Sequence, residues 1–307
     1  MSNPIKQKES RASFFSIINY QKMPGLPNLK GYYRPKSIAE ALALLQKNSG
    51  TIVVIAGGTK LLLSENEAVQ ELVDIRSLNL DYIKEDMGII RIGATTPLQK
   101  LVESSMLKNL TNGIVSDAAQ LTHYSKMIRN VSTLGGELVS TNPLSVLYCA
   151  LLVLQAQVRI AGGEEFALAM NIFLNKKGLG GGLLIEILIP KMEPQTYAAI
   201  IPVTIQSSTN PLICACTRLT LHKGTCKSAK IAITGTQPVP KRVQEVESDL
   251  EGHPLTPAKI EHAADRACEI LDPISDNFAS AEFRKEIARV VVKRALNQCL
   301  EYAEKAI

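Results

Sequence analysis

The first 80 residues combine one amphipathic segment with two short apolar runs. Residues 37–48 carry apolar side chains at helical spacing, and Ser37 with Glu40 three positions later has the pattern of a capping box. The runs at 52–56 and 71–75 are continuous and short, as buried strands are. The pattern predicts a small β-α-β unit, in which the strand at 52–56 leads directly into paired glycines.

The middle of the chain alternates further apolar runs with helical segments. A run at 88–94 predicts a strand, and Thr96-Pro97 predicts the cap of a helix that continues to about residue 108, with proline at its first position. Residues 128–143 are polar and turn-rich, which is typical of a long functional loop. The other predicted elements are a helix at 113–121 and two strands, at 155–160 and 183–189, around a glycine-rich loop at 178–182.

The pattern changes beyond residues 191–196, which are typical of a linker, so we place a domain boundary near 192–198. Antiparallel strands are predicted after it, and Thr256-Pro257 predicts the start of a helix. The predicted elements are strands at 213–221 and 228–234 and helices at 256–271 and 281–305. The inner face predicted for the last helix consists of Phe283, Ile287, Val290, Val291 and Ala295. Its basic residues form either a solvated face or a subunit-docking surface: Arg284, Lys285, Arg289, Lys293 and Arg294.

Composition and charge narrow the class of protein. The length of 307 residues corresponds to about two domains. With 46% hydrophobic and 21% charged residues, disorder over most of the chain is excluded. The net charge of +5 is too small and too dispersed to indicate nucleic-acid binding. Residues 1–25 are expected to be an irregular N-terminal lead-in.

Membrane insertion and secretion are not expected. No apolar stretch approaches the roughly 20 residues of a membrane helix, and the N-terminal residues lack the apolar region of a secretory signal. The six cysteines have no framework spacing, which favours free thiols in a reducing cytoplasm. Cys214 and Cys216 lie in one apolar run, where core packing is the favoured interpretation and a metal site the alternative. We therefore expect a cytoplasmic protein.

Two glycine-containing segments are the main chemical signal, because the common catalytic signatures, including the dinucleotide-binding glycine pattern, are absent. Residues 56–59 (AGGT) follow a predicted strand, and residues 133–136 (TLGG) follow Arg129 and Asn130. Glycines let backbone N–H groups approach an anion closely. Each segment is a weak signal alone, but two could clamp a pyrophosphate from opposite sides. Arg129 fits a phosphate contact or an ion pair with a neighbour equally well.

The order of six segments makes the signal specific. They are YRPKSIAEALALL, IAGGTKLL, LVDIRSLNL, RIGATTPLQKL, IRNVSTLGG and EFRKEIARVVVKRAL. In this order they resemble the FAD-binding subunit or domain of the molybdenum hydroxylases, the family of the carbon monoxide dehydrogenase medium subunit and the xanthine dehydrogenase flavin domain. The resemblance covers about residues 26–305.

The resemblance implies an α+β fold. A two-subdomain FAD-binding part of the vanillyl-alcohol oxidase type (26–80 and 81–195) precedes a C-terminal flavoprotein domain (196–307) with a three-stranded antiparallel sheet and a helical bundle. It implies that two loops, 56–60 and 133–137, grip the FAD pyrophosphate. The candidate FAD-binding residues are Ala56, Gly57, Gly58, Thr59, Lys60, Leu61, Thr96, Asn130, Thr133, Gly135, Gly136, Glu137 and Leu184. Thr96 is the threonine of the family's G-A-x-T segment, with Thr95 the alternative if the alignment shifts by one residue. No catalytic or metal-ligating residue is expected in this chain.

The resemblance also implies partners. In the family, a large subunit with the molybdenum cofactor oxidises the substrate, and a small subunit with two [2Fe–2S] clusters carries electrons to FAD. The flavin passes them to an acceptor such as NAD or a quinone. This chain lacks cluster-type cysteine spacing, so the interpretation makes it one subunit of a larger complex.

Departures from the family pattern concentrate at the cofactor loops. Lys60 stands where Asp or Ser is frequent, and Glu137 stands where the family has Asn. Val146 occupies the position of an Asp that reaches the adenosine, and residues 204–211 replace basic residues near the flavin. A carboxylate facing a pyrophosphate would repel it unless it points away.

Three functions therefore remain open. The first is a working flavin subunit with altered contacts. The second is a non-enzymatic relative that keeps the fold as a scaffold or assembly partner with weakened or lost FAD binding. The third is a stand-alone flavin oxidase with its own substrate pocket.

Overall fold

The computed structural model describes residues 25–47, 50–140, 144–162, 166–175, 179, 181–205 and 211–306. The predicted lead-in lies outside the described residues apart from Gly25, and so does most of the segment 204–211. Across the described part of the chain, no helix is both long enough and apolar enough to cross a membrane.

The first subdomain is a three-stranded parallel sheet in the order β1-β3-β2 with one helix. The capping box predicted for the helix is present: Ser37 Oγ accepts the Glu40 N–H at 3.1 Å, and the Glu40 carboxylate accepts the Lys36 N–H at 2.7 Å. The strand β1 was not predicted. The elements are β1 (Gly31–Tyr33), α1 (Ile38–Lys47), β2 (Ile52–Ile55) and β3 (Glu71–Asp74).

Asp74 ends β3 and anchors a charged cluster at this sheet. Its buried carboxylate accepts hydrogen bonds from the Tyr32 hydroxyl at 2.5 Å and from Arg76 at 2.7 Å, and it pairs with Arg34 at 3.2 Å. Burial acts to raise the pKa of Asp74, but the hydrogen bonds from Arg76 and Tyr32 outweigh it and hold the pKa at about 2. The cluster ties the chain before α1 to the strand that neighbours β2.

Because the pKa of Asp74 is lower in the folded protein than in an unfolded chain, its ionised form stabilises the fold. That stabilisation is complete above the unfolded pKa of about 4 and is lost as the pH falls towards 2. We expect Asp74→Asn to lower the thermal unfolding temperature near neutral pH, and the deficit relative to the unsubstituted protein to shrink between about pH 4 and pH 2. Circular dichroism is the appropriate probe, because the chain contains no Trp. If the deficit in unfolding temperature stayed constant across this pH window, the ionised form of Asp74 would not be what stabilises the fold.

The second subdomain is a five-stranded antiparallel sheet in the order β4-β5-β8-β6-β7, packed against helices. Its strands are β4 (Ile83–Asp86), β5 (Ile89–Gly93), β6 (Gln157–Ala161), β7 (Phe166–Ala169) and β8 (Leu183–Pro190). Its helices are α2 (Leu98–Glu103), α3 (Ser105–Asn109), α4 (Ile114–Thr122), α5 (Lys126–Val131), α6 (Leu134–Val139), α7 (Val146–Val153) and α8 (Met170–Asn175). The helix α7 is buried along its whole length.

Two predictions for this subdomain are wrong. The single helix expected from Pro97 to about residue 108 is broken at Ser104, whose extended backbone ends α2 and whose hydroxyl caps α3; Pro97 itself is the N-cap residue of α2. The loop expected at 128–143 contains α5 and α6 instead. Short helices of six residues carry too little apolar periodicity to be recognised in a polar segment.

The C-terminal domain packs three helices on an antiparallel sheet in the order β12-β11-β10-β9. The predicted three-stranded sheet is thus wrong in strand number, because a two-residue edge strand adds a fourth. Its strands are β9 (Thr196–Val203), β10 (Ile213–His222), β11 (Thr225–Thr234) and β12 (Lys241–Arg242), and its helices are α9 (Gln244–Leu250), α10 (Pro257–Ile270) and α11 (Ala281–Lys305). Residues 191–195 join the two parts; the domain boundary itself stays a prediction.

The inner face of α11 differs from the prediction at its first turn. Phe283 is half exposed, whereas Arg284, which was assigned to the basic outer face, is buried. Arg284 donates to the carbonyl oxygens of Leu212 and Gly235 and pairs with Asp276. Later turns do bury Val291 and Ala295. An arginine that satisfies backbone carbonyls inside a core has no signature in hydrophobic periodicity.

The cysteines are all free, and five of the six are buried. Cys214 and Cys216 lie in the core beside Cys149 of α7, where the C-terminal sheet meets the second subdomain. Burial raises the pKa of all three of Cys214, Cys216 and Cys299. Core packing is therefore the role that the structure gives to the C-x-C pair.

Candidate functional site

A cavity of about 750 Å³ opens between the end of β2, the start of α6 and the segment that enters β8. Apolar side chains of Ile52, Val54 and Ile75 form part of its wall. The structure brings most of the predicted FAD-binding residues to this cavity: Ala56, Gly57, Gly58, Thr59, Lys60, Leu61, Thr133, Gly135, Gly136, Glu137 and Leu184. Its size lies in the range of small-molecule and cofactor sites.

Two predicted site residues lie elsewhere. The hydroxyl of Thr96 is fully buried and bonds to the backbone N–H and carbonyl oxygen of Tyr82, both at 3.1 Å, so it joins two chain segments. Asn130 is exposed on α5 and does not line the cavity. Thr96 was assigned from the family's G-A-x-T segment and Asn130 from its position shortly before the second glycine loop, but neither residue lines the cavity.

Other candidates considered from the sequence are structural as well. Arg129 is buried and donates to Gln99 Oε1 at 2.8 Å and to the carbonyl oxygens of His123 and Tyr124, so it holds the turn before α5. Val146 lies in the hydrophobic core of α7. It is therefore not a cavity position that has lost a polar contact.

The first glycine loop, residues 56–60, carries free backbone donors. Within the part of the chain described, no hydrogen bond is donated by the backbone N–H groups of residues 57–60. Gly58 has a φ of +71°, a backbone conformation that L side chains rarely adopt. A Cβ on Gly57 would lie 2.0 Å from the Val131 carbonyl oxygen, so only glycine allows the loop to pack there. Consecutive free amides of this kind form an anion-binding concavity.

The second loop, residues 133–137, does not offer the bare amides expected from the sequence. The Gly135 N–H bonds to the Ala94 carbonyl oxygen at 2.8 Å, and the Gly136 N–H bonds to Thr133 Oγ1 at 3.2 Å, because Thr133 is the N-cap of α6. A Cβ on Gly135 would lie 2.8 Å from the same Ala94 oxygen. Gly135 therefore allows close packing against Ala94. The second loop shapes the cavity more than it supplies hydrogen-bond donors.

The two loops are tied together by side chains. Ser132 Oγ donates to Thr59 Oγ1 at 3.0 Å, and the Lys60 ammonium pairs with the Glu137 carboxylate at 2.8 Å. Ser132 was not predicted as a site residue, and its position immediately before Thr133 was the only signal. The bonds close the cavity on one side with a hydroxyl pair and an ion pair.

The Glu137 side chain is 1% exposed, whereas Lys60 is 32% exposed. His123 Nε2 lies 3.7 Å from the same carboxylate. Burial acts to raise the pKa of Glu137, but the neighbouring His123 and Lys60 outweigh it, so the pKa is held below its usual value and the group is ionised. Lys60 and Glu137, treated from the sequence as two separate departures, thus form one compensated pair.

The donor set fits the diphosphate of a dinucleotide cofactor. Free amides of the first loop and the hydroxyl of Thr59, which accepts from Ser132 and keeps its own proton, supply hydrogen-bond donors, and the buried carboxylate is neutralised by Lys60. The apolar wall suits planar ring systems. A cofactor with an anionic centre and aromatic ends therefore matches the cavity.

Comparisons with known proteins also identify FAD-binding proteins, over most of the chain. The family model described as FAD binding domain in molybdopterin dehydrogenase matches residues 26–192, and the model described as CO dehydrogenase flavoprotein C-terminal domain matches residues 206–299. The carbon monoxide dehydrogenase medium chain of Hydrogenophaga pseudoflava is 28% identical over 280 residues, which cover 87% of this chain and 95% of that one.

Two further matches agree. The 6-hydroxypseudooxynicotine dehydrogenase complex subunit alpha of Paenarthrobacter nicotinovorans is 29% identical, over 89% of this chain and 95% of its own length. A solved structure of the Hydrogenophaga pseudoflava carbon monoxide dehydrogenase superposes with a TM-score of 0.84 at 25% identity, over 89% of this chain and 98% of that one. The resemblance predicted from the sequence is confirmed: the chain belongs to the FAD-binding family of the molybdopterin dehydrogenases and is an oxidoreductase subunit of that class.

Proposed function

We propose that this chain binds FAD in the cavity between its two glycine loops and relays electrons within a molybdenum hydroxylase complex. The electrons come from the [2Fe–2S] clusters of a small partner subunit and leave to an acceptor such as NAD or a quinone. The observation that carries the proposal is that the backbone N–H groups of residues 57–60 donate no hydrogen bond within the described structure, in a loop that lines the cavity together with Ser132. The scaffold alternative has no support in the family comparisons.

The chain's own residues have three tasks in this function. The amides of residues 57–60 and the Thr59 hydroxyl would hold the diphosphate by hydrogen bonds to charged oxygens, which are stronger than neutral ones. Apolar residues such as Val54 and Leu184 would exclude water from the ring systems. When bound, FAD supplies the one- and two-electron redox chemistry, which no side chain provides.

The test is the visible absorption spectrum of the purified protein, before and after incubation with excess FAD and desalting. Retention of about one flavin per chain is the expected result. A colourless protein that fails to hold added FAD, while circular dichroism shows it folded, would overturn the proposal. Flavin bound with unaltered affinity after substitutions in both glycine loops would place the site elsewhere.

An exposed apolar surface beside the loops is the proposed docking site of the small [2Fe–2S] subunit. We define it by Leu63, Met127 and Val131, whose exposed fractions are 86%, 80% and 50%. The Val131 backbone packs against Gly57, and Leu62, next to Leu63 in the chain, packs against Gly58, so Val131 and Leu63 lie beside the first glycine loop. Exposed apolar clusters of this kind mark protein interfaces, and electron transfer requires the redox centres to lie close together.

We expect Met127→Glu to weaken assembly with the co-expressed [2Fe–2S] subunit by about 30-fold, since charging an interface anchor costs about 2 kcal/mol. FAD binding should be unchanged, because Met127 does not line the cavity. Size-exclusion chromatography of the complex measures assembly, and absorption measures flavin. Phe278→Glu is the matched control, since Phe278 is 74% exposed in the C-terminal domain. Normal assembly of the Met127 variant would rule this surface out.

A further inference from the structure

Lys60 and Glu137 form an ion pair in which only the glutamate is buried. The Glu137 carboxylate is buried, and its Oε1 atom has no hydrogen-bond partner among the described residues. His123 Nε2, at 3.7 Å, is also without a hydrogen-bond partner there. The Lys60 ammonium, at 2.8 Å from Oε2, is thus the basic group nearest to this carboxylate in the described structure. Lys60 itself retains access to solvent.

Removing one member of a buried ion pair is far more costly than removing both, because the remaining charge stays buried without compensation. Glu137 also lies on the cavity beside the free amides of residues 57–60. An uncompensated carboxylate at this place would repel any anion that these amides attract. The position of Lys60 therefore matters for anion binding even if its ammonium never contacts the anion.

We propose that Lys60 is the fixed counterion of Glu137 and not a phosphate ligand. The pair makes the wall of the cavity electrically neutral, so that the amides of residues 57–60 set the affinity for the diphosphate. The inference rests on the proposed function, because it takes FAD as the anion. It assigns to Lys60 a positioning and charge-compensating role that a basic residue beside a phosphate site would not ordinarily receive.

A double-mutant cycle tests the proposal with Lys60→Met, Glu137→Gln and the double variant K60M/E137Q. Each protein is titrated with FAD and with riboflavin, which has the same ring system but no phosphate. All titrations are run in the same buffer at the same pH. We expect K60M to weaken FAD binding by about a hundredfold and riboflavin binding much less. The double variant should recover FAD affinity close to that of the unsubstituted protein.

Two results would overturn the proposal. If the double variant binds FAD as weakly as K60M, Lys60 is itself a phosphate ligand. If K60M weakens riboflavin as much as FAD, the effect is a general distortion of the cavity. Should K60M fail to fold, E137Q and K60M/E137Q still decide, because neither contains an unpaired buried carboxylate. The proposal requires these two variants to bind FAD equally well.

The cycle also separates this inference from the proposed function. Thermal unfolding of the flavin-free proteins should show the same pattern, with K60M the least stable and the double variant largely restored. If the unsubstituted protein binds no FAD but this pattern is present, the proposed function fails and the counterion assignment stands. If FAD binds and neither the stability nor the affinity of the double variant recovers, the counterion assignment fails alone.

Discussion

Gly57→Ala should abolish tight FAD binding. The new methyl group would lie 2.0 Å from the Val131 carbonyl oxygen, a backbone atom that cannot rotate away. The first loop must then move off the Val131–Ser132 backbone, and the Thr59–Ser132 hydrogen bond breaks with it. Loss of two charge-assisted hydrogen bonds to the diphosphate costs about 3 kcal/mol, which corresponds to roughly a hundredfold in Kd. Titration with FAD, followed by absorption or flavin fluorescence, measures the change.

Gly31→Ala is the matched control for this variant. Gly31 lies in the same subdomain but outside the cavity, and its added methyl group would meet side-chain atoms of Glu71 and Tyr33 at 3.2 and 3.3 Å, which can shift. We expect it to bind FAD as the unsubstituted protein does. Equal affinity of the Gly57 and Gly31 variants would mean that the contact between the loops is not needed for the cofactor.

Arg284→Met should be the most destabilising single change in the C-terminal domain. The guanidinium donates to the Leu212 and Gly235 carbonyl oxygens and is 4% exposed. Gly235 has a φ of +85°, and a Cβ on it would collide with the Leu212 carbonyl oxygen. The backbone therefore takes one specific conformation where Arg284 binds it. Two carbonyl groups left without donors cost together about 3 kcal/mol. We expect the unfolding temperature of this domain to fall by roughly 13 °C, measured by circular dichroism.

Arg294→Met provides the comparison on the same helix. Arg294 is exposed, so its replacement removes the same charge without opening a buried contact. We expect a change in stability within about 0.5 kcal/mol, as for ordinary surface substitutions. An Arg284 variant as stable as the Arg294 variant would show that the two carbonyl groups find other donors.

Long periodic elements and glycine loops could be predicted from this sequence. The capping box of α1, the strands β2 and β3 and the final helix carry strong local patterns, and the structure contains all of them, although β2 is only partly buried because it lines the cavity. The approach of the two loops was predictable in outline, because their glycines follow predicted secondary structure in an order that a known family shares. The family was therefore recognised although the individual loop geometries were not.

The errors arose where a single residue has a tertiary partner. Arg284 looked like an outer-face residue because it bonds to the backbone carbonyl oxygens of Leu212 and Gly235, which are far away in the sequence. Glu137 looked incompatible with a phosphate because its counterion, Lys60, is remote in sequence. Thr96 was assigned from a family segment and Asn130 from its position before a glycine loop, but neither kind of signal determines the direction of a side chain. Contacts of this kind form only in the folded chain, so the spacing of apolar and polar residues in the sequence does not reveal them.

The two glycine loops differ in whether their backbone amides are already hydrogen-bonded before FAD binds. The amides of residues 134–137 are satisfied within the protein, so that half of the site is preorganised before any ligand arrives. The amides of residues 57–60 have no partner among the described residues and must exchange water for the ligand. The conformational cost of binding therefore falls on one short loop. We therefore expect the chain to fold as an apoprotein and to bind its flavin afterwards.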